Sequence, residues 1–347
     1  MESYERAKER LNLSAVLKDL FFGRDLSRSE SFELWTHLLN GSATDAQLGA
    51  IVAALSSKGE TADEIAGATL ALLEAEDQFG DRGAGCVQIS AASFVSSARV
   101  SVQTAGALVL GGAGVKVAQQ VTYEVGGRDE QRSLLHALGI RASLSSEAAK
   151  QSLEKTGVCF ACPYLYDRTR SRLAAIRAQL GVPTILNLIE PLANPALPSF
   201  QIIGVWHPEI IKPVARALMA LGVWRSWVVH CLDGTDEASP RETTLVAEVD
   251  HTRLRTFEIS PSEFGLDGSM QGDFRNGDIS YNARLIEDVL EGKRGSRARS
   301  AILMTAGAGL MVAGFADNPS GAAKLAADAI DSGQARGKLD ELAQSHW

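Results

Sequence analysis

After Glu76 the sequence alternates short apolar runs with stretches of helical periodicity, and this alternation limits the fold more than any other feature. The runs Val87–Ser90, Lys116–Ala118, Val158–Phe160, Gln201–Val205, Trp227–His230, Thr244–Val249 and Arg253–Ile259 have the length and apolar content of strands. Helical patterns occupy residues 102–112, 129–138, 146–155, 167–180, 208–221, 281–291, 297–315, 320–332 and 335–344. Strands separated by helices leave room for the crossovers that join parallel neighbours. The expected class is α/β, with a central, mostly parallel sheet flanked by helices.

The chain before that point reads differently. Ser27-x-x-Glu30, Thr44-x-x-Gln47 and Thr61-x-x-Glu64 each place a hydroxyl before a helix and a long polar side chain three residues later. In such a box the hydroxyl accepts from a free backbone N–H while the Glu or Gln reaches back. Each box precedes an amphipathic run. Residues 1–77 are therefore assigned to a small all-helical domain, with a further helical contribution expected from about 167–195. Residues 78–347 form the large α/β domain.

The chain has 347 residues, of which 45% are hydrophobic, enough for a sizeable core and too many for wholesale disorder. Its formal charge of −8 argues against a general nucleic-acid binder, which needs a basic surface. No apolar run reaches the roughly 18 residues of a membrane span. MESYERAKER is charged and lacks an apolar centre, so no secretory signal is expected. Four cysteines in a chain of this length make no disulfide framework, and a cytoplasmic protein with reduced thiols is expected.

The densest chemical signal follows the apolar run Trp227–Val229. The stretch HCLDGTDEAS carries Asp233, Asp236 and Glu237 around Gly234. Carboxylates at the carboxyl end of a strand in an α/β sheet lie where ligands bind. They form either a solvated loop or a site for a hard cation such as Mg²⁺ arriving with a phosphorylated substrate.

Several stretches, in order along nearly the whole chain, resemble the anthranilate phosphoribosyltransferase family, also called glycosyltransferase family 3. They are GRDLSRSESFELWTHLLNGSATDAQLGAIVAALSSKGETADEIAG, RAQLGVPTILNLIEPLANP, VVHCLDGTDEAS, SEFGL, AGAGLMVAGFAD and AIDSGQARGKL. The resemblance implies a helical domain joined to an α/β domain, a homodimer through the helical part, and a small-molecule site between the domains. It implies transfer of ribosyl phosphate from phosphoribosyl pyrophosphate to the amine of anthranilate, with Mg²⁺ on the pyrophosphate. By the same resemblance Asp236 and Glu237 match the metal-binding pair, Arg177 falls where the anthranilate carboxylate is held, and Thr104 and Asn194 are retained substrate-site positions. Without the resemblance, Arg177 reads as one of several arginines on the outer face of a surface helix, beside Arg168, Arg170 and Arg172.

The phosphate-binding positions depart from the family pattern. Its Gly-Thr-Gly-Gly-Asp loop falls on Ala91, Ala92, Ser93, Phe94 and Val95. Its Asn-x-Ser-Thr falls on Ser101 to Thr104, with Gln103 in place of the Ser. Its Lys-His-Gly-Asn-Arg falls on Gln119 to Tyr123, so Gln119 and Tyr123 replace the cations. Phosphate loops need glycines for close backbone approach and cations for charge. Each lost contact to a charged group costs about 1.5–3 kcal/mol. Gly126-Gly127-Arg128 and Arg99 offer compensation. On the acceptor side, Pro183 and Glu190 replace an Arg and a Gly, and Glu190 adds charge unfavourable to a carboxylate.

The pair Cys159 and Cys162 reads as buried structural thiols, because Cys86 and Cys231 supply no second pair at zinc spacing. The Gly111-Gly112-Ala113-Gly114 run follows a helical pattern and reads as a helix end. His230 stands next to the acidic turn. Three functions follow: a divergent homologue with a degraded phosphate loop that binds another small ligand; a working phosphoribosyltransferase; and a nucleic-acid-binding module, against which the acidic balance argues.

Overall fold

The computed structural model describes residues 11–81, 83, 85–92, 97–121, 130–162, 168–266, 274–293 and 297–345. The described residues open with helices α1 (Leu13–Phe21), α2 (Arg28–Leu39), α3 (Asp45–Lys58) and α4 (Ala62–Glu74). All three capping boxes form. Glu30, Gln47 and Glu64 each accept from the backbone N–H of the hydroxyl residue whose side chain caps their helix. Glu64 does more than cap. It is fully buried, its Oε1 accepts from Leu26 N at 2.9 Å, and its Oε2 lies 2.7 Å from Lys58 Nζ. One carboxylate thus ties the start of α4 to the end of α3 and to the entry of α2.

The remainder alternates strands and helices in the order β1 (Val87–Ala91), α5 (Ser97–Gly112), β2 (Val117–Gln120), α6 (Glu130–Ala137), α7 (Ser146–Thr156) and β3 (Val158–Ala161). Next come α8 (Arg168–Leu180), α9 (Ile185–Leu192), β4 (Phe200–Gly204), α10 (Ile211–Ala220), β5 (Arg225–Cys231), β6 (Thr244–Asp250) and β7 (Arg253–Ile259). Helices α11 (Ile279–Leu290), α12 (Arg297–Val312), α13 (Pro319–Asp331) and α14 (Gln334–Ala343) complete the described fold. The seven strands form one sheet in the order β3-β2-β1-β4-β5-β6-β7, parallel from β3 to β5 and antiparallel at β6 and β7. All seven strands lie where the apolar runs predict them.

Period-two alternation sends side chains to two different cores. Ile202, Trp227, Val229 and Val246 face one side, where α5, α6 and α11–α14 pack. Ile203, Val228, Ala247 and Val249 face the other, against α10 and the helices α1–α4, α8 and α9. The helical unit and one sheet face therefore share a continuous core. No described helix is long and apolar enough to cross a membrane.

Two helices differ most from the sequence expectation. Helix α5 starts at Ser97, not at 102. Its first turn, Ser-Ala-Arg-Val-Ser, carries no apolar stripe, so periodicity detects the helix only where burial begins. Helix α9 is short and holds Pro191 in its last turn, which hides it from a search for long unbroken patterns. It is still almost wholly buried, and with α8 it packs in the same core as α1–α4.

Truncating Glu64 to Ala leaves the Leu26 and Thr61 amides and the Lys58 ammonium without that acceptor. Urea denaturation is expected to show a loss of about 3 kcal/mol. A loss below about 0.5 kcal/mol would contradict the assigned role.

Candidate functional site

Strand β1 lies between β2 and β4, and the helices that follow β1 and β4 go to opposite faces of the sheet. Helix α5 packs in one core and α10 in the other. That reversal opens a crevice at the carboxyl ends of β1 and β4, the place where open α/β sheets bind ligands. Ala91 pairs with Gly204 at this edge, and Ala92 N donates to Gly204 O at 2.8 Å.

The acidic turn after β5 folds over the crevice. Gly234 takes φ +88°, and Cys231 N donates to Thr235 O at 2.9 Å, closing the turn. Asp233 organises it from inside. Its Oδ1 accepts from Thr235 N at 2.9 Å and Thr235 Oγ1 at 2.6 Å, and its Oδ2 accepts from Ser239 Oγ at 3.0 Å. Burial opposes ionisation of Asp233, but the hydrogen bonds from Thr235 and its neighbours outweigh it and hold the carboxyl below its ordinary value. Asp233 therefore shapes the turn. Gly204 sets its depth, because a Cβ there would stand 1.7 Å from Asp236 O.

Asp236 and Glu237 are the carboxylates delivered to the crevice. Asp236 is 3% exposed, and its Oδ1 lies 2.9 Å from Nε of Arg99 in the first turn of α5. Glu237 is half-buried, yet its Oε2 is shut off from solvent and has no hydrogen-bond partner among the described residues. Burial, then the charge of Asp236, pushes its pKa up to about 7. Glu237 lines a small cavity with Ser90, Gln103 and Thr305. The Thr305 hydroxyl is likewise without a partner among the described residues. An orphaned carboxylate oxygen beside a second carboxylate fits Mg²⁺, which is commonly held by one or two carboxylates together with substrate phosphates and water. A cage made by protein alone is absent: among the described residues no three His, Cys, Asp or Glu side chains gather as a metal set.

Glutamines of β1 and β2 brace the sheet, Gln119 among them at a position where the resemblance expects a cation. Gln119 donates through Nε2 to Ile89 O and accepts from Ile89 N at 3.3 Å, so its amide imitates a strand partner. Gln88 donates to Pro191 O at 2.9 Å and accepts from Asn194 Nδ2 at 2.8 Å, while Gln120 donates to Glu190 O at 3.2 Å. Asn194 also donates to Ala118 O at 2.9 Å and accepts from Ala196 N at 2.9 Å. Both amide hydrogens of Asn194 are engaged inside the protein, so the structure uses it as a brace where the resemblance implies a substrate contact. Thr104 is fully buried in α5, its hydroxyl without a partner among the described residues. Ser93, Phe94, Val95, Tyr123 and the Gly126-Gly127-Arg128 segment lie outside the described residues.

Arg177 is not on an outer face. Its side chain is 14% exposed, and its Nη1 is paired with Oε2 of Glu190 from α9. The carboxylate expected to oppose an acidic substrate thus sits on the arginine expected to hold one. His230 is buried and its Nδ1 bonds Val205 O at 2.9 Å, bracing β5 against the end of β4. All four cysteines are buried free thiols; burial raises the pKa of Cys86, Cys159 and Cys231, consistent with inert structural roles. Among crevice residues, Gly204 and Thr305 escaped sequence reasoning. Gly204 lies one residue before the end of an expected strand with no motif around it, and Thr305 looks like any polar residue of a buried helix.

Comparison with known proteins accords with this architecture. Residues 14–75 match the helical bundle domain of the glycosyl transferase family, and residues 95–336 match its a/b domain. The anthranilate phosphoribosyltransferase of Methylocella silvestris is 35% identical over 333 residues, 96% of this chain and 95% of the relative. The crystal structure of anthranilate phosphoribosyltransferase from Thermus thermophilus superposes with a TM-score of 0.83 at 28% identity, over 94% of this chain and 98% of the other. The Saccharomyces cerevisiae enzyme in complex with phosphoribosyl pyrophosphate and Mg shares the fold, with a TM-score of 0.80 at 22% identity over 96% and 97% of the two chains.

Glu237 gives the site a pH signature. Its native pKa of about 7 exceeds the ordinary glutamate value, so the folded chain holds this proton more tightly than the unfolded one. The stabilisation is fully present below the ordinary value and is lost as pH rises through about 7. In a chelating buffer, raising the pH from 5 to 8 should destabilise the wild type by roughly 2–3 kcal/mol more than Glu237→Gln. Urea denaturation at both pH values checks this, and parallel profiles would contradict it.

Proposed function

Because the chain belongs to the glycosyl transferase family and is built like an anthranilate phosphoribosyltransferase, we propose that it is a Mg²⁺-dependent phosphoribosyltransferase. The reaction joins the amine nitrogen of anthranilate to the ribose carbon of phosphoribosyl pyrophosphate and breaks that carbon's bond to the pyrophosphate oxygen. The observation that carries this reading is the pair Asp236 and Glu237 at the strand-end crevice, with one buried carboxylate oxygen unpartnered among the described residues. When bound there, Mg²⁺ would offset the negative charge growing on the departing pyrophosphate.

The chain's own residues do the rest. The turn braced by Asp233 and seated on Gly204 fixes both carboxylates before any ligand arrives, so little reorganisation accompanies the reaction. The sheet braces Gln88, Gln119 and Asn194 keep β1 and β2 in place beneath the donor. Arg177 is the group to orient a carboxylate on the acceptor, through a two-pronged bond, once Glu190 gives way.

The direct test is formation of phosphoribosylanthranilate by the purified protein with anthranilate, phosphoribosyl pyrophosphate and Mg²⁺. Turnover is expected, and Asp236→Ala combined with Glu237→Ala should lower it at least a hundredfold, as loss of charge stabilisation at a reacting centre does. Absence of turnover in the folded wild type would overturn the reading.

A second reading rests on the Arg177–Glu190 pair and on the neutral residues at the phosphate positions. Glu190 satisfies Arg177 internally, as an anthranilate carboxylate would. Under this reading the crevice accepts a different small ligand and the chain performs no ordinary phosphoribosyl transfer. Calorimetry with anthranilate separates the two. The transferase reading expects Glu190→Gly to tighten anthranilate binding roughly tenfold from a measurable wild-type value, about the worth of one charged contact. The second reading expects binding in Glu190→Gly alone.

A further inference from the structure

The crevice contains a cation that the proposed reaction has not yet used. Arg99 projects from the first turn of α5, a helix of 16 residues with no acidic residue in that turn. Its side chain is 16% exposed, and its Nε lies against Asp236 Oδ1. We propose that Arg99 is the diphosphate-binding cation of this chain, held by Asp236 as a latch, so that a divalent cation and a diphosphate enter the crevice together. This inference rests on the reading of the crevice as a Mg²⁺–diphosphate site.

Asp236 Oδ1 serves a guanidinium in this structure. A divalent cation that takes the same oxygen leaves Arg99 with less compensation in a largely buried place, which is costly unless an anion replaces the carboxylate. A diphosphate alone meets the opposite obstacle: Arg99 is neutralised, and Asp236 and Glu237 oppose a polyanion. Each ligand therefore removes the penalty that the other would face, and such coupling is reciprocal.

Three further observations direct the anion to this spot. Arg99 stands in the first turn of α5, at the positive end of that helix's dipole. The cavity beside it carries two polar atoms, Glu237 Oε2 and Thr305 Oγ1, that are buried and without partners among the described residues. Of the nearby positions where the family pattern has hydrogen-bonding or charged side chains, Gln103 and Gln119 are neutral, and Gln119 is engaged by Ile89. A site that takes a diphosphate needs a cation, and Arg99 is on the correct helix turn to supply it.

The test is calorimetric titration of inorganic pyrophosphate into the full-length protein, with Mg²⁺ or with a chelator, for wild type, Arg99→Gln, Arg99→Lys and Asp236→Asn. Phosphoribosyl pyrophosphate with Mg²⁺ on the wild type serves as reference, and circular dichroism checks each fold. Wild type should bind pyrophosphate roughly tenfold to a hundredfold tighter with Mg²⁺ than without. Asp236→Asn should bind it at least tenfold tighter than wild type in chelator and gain little from Mg²⁺. Arg99→Gln should lose at least tenfold with Mg²⁺, and Arg99→Lys should recover part of that loss. Equal binding by wild type and Arg99→Gln would overturn the role of Arg99 and leave the transferase reading intact. A wild type that takes up neither pyrophosphate nor phosphoribosyl pyrophosphate would overturn both.

Discussion

The site depends on the contact between the acidic turn and the end of β4. Asp236 O lies so near Gly204 that any side chain there would collide with it. That contact sets how far the turn reaches over the strand ends, and hence where Asp236 and Glu237 stand relative to α5. The turn could not seat itself without the bonds that Asp233 makes to Thr235 and Ser239, which fix its curvature. One glycine and one structural carboxylate thus place two others.

Asp236 and Glu190 are each matched by a cation, whereas Glu237 Oε2 is unmatched among the described residues. Arg99 faces Asp236, Arg177 faces Glu190, and both pairs are largely shielded from solvent. Buried ion pairs contribute little net stability against apolar replacements but are costly to break from one side. Such pairs suit a site that waits for charged ligands. On the proposed reading, each cation is kept compensated until a ligand anion takes over, and its acid until a ligand cation does. The glutamines around them follow a different logic. Gln88, Gln119 and Gln120 close gaps in backbone pairing between β1, β2 and α9, a task in which a Lys would lack the acceptor that a primary amide provides.

Much of this was legible from sequence where a local rule governs the outcome. The capping boxes at Ser27, Thr44 and Thr61 form because their partners lie three residues away and need no tertiary structure. The inner strands were legible because the sheet is covered on both faces there, which makes their runs apolar, whereas the edge strand β7 is mostly exposed. Asp236 and Glu237 were legible because a turn with so much charge after a buried strand is unusual. The pairing of Arg177 with Glu190 was not, since it requires that α8 and α9 fold back on one another, and Pro191 obscures α9. The role of Asn194 as a brace was equally hidden, because its partners Gln88 and Ala118 belong to strands far away in sequence. The pairing of Arg99 with Asp236 follows only from the strand order that brings α5 beside the turn after β5.

The most direct measurement on the central claim is a crystal structure of the protein grown with Mn²⁺ and pyrophosphate, read by the anomalous signal of the manganese. A peak bound by Asp236 or Glu237, with diphosphate on the α5 side of the crevice, is the predicted result. A crevice with no anomalous peak, and with Arg99 still on Asp236, would contradict the account.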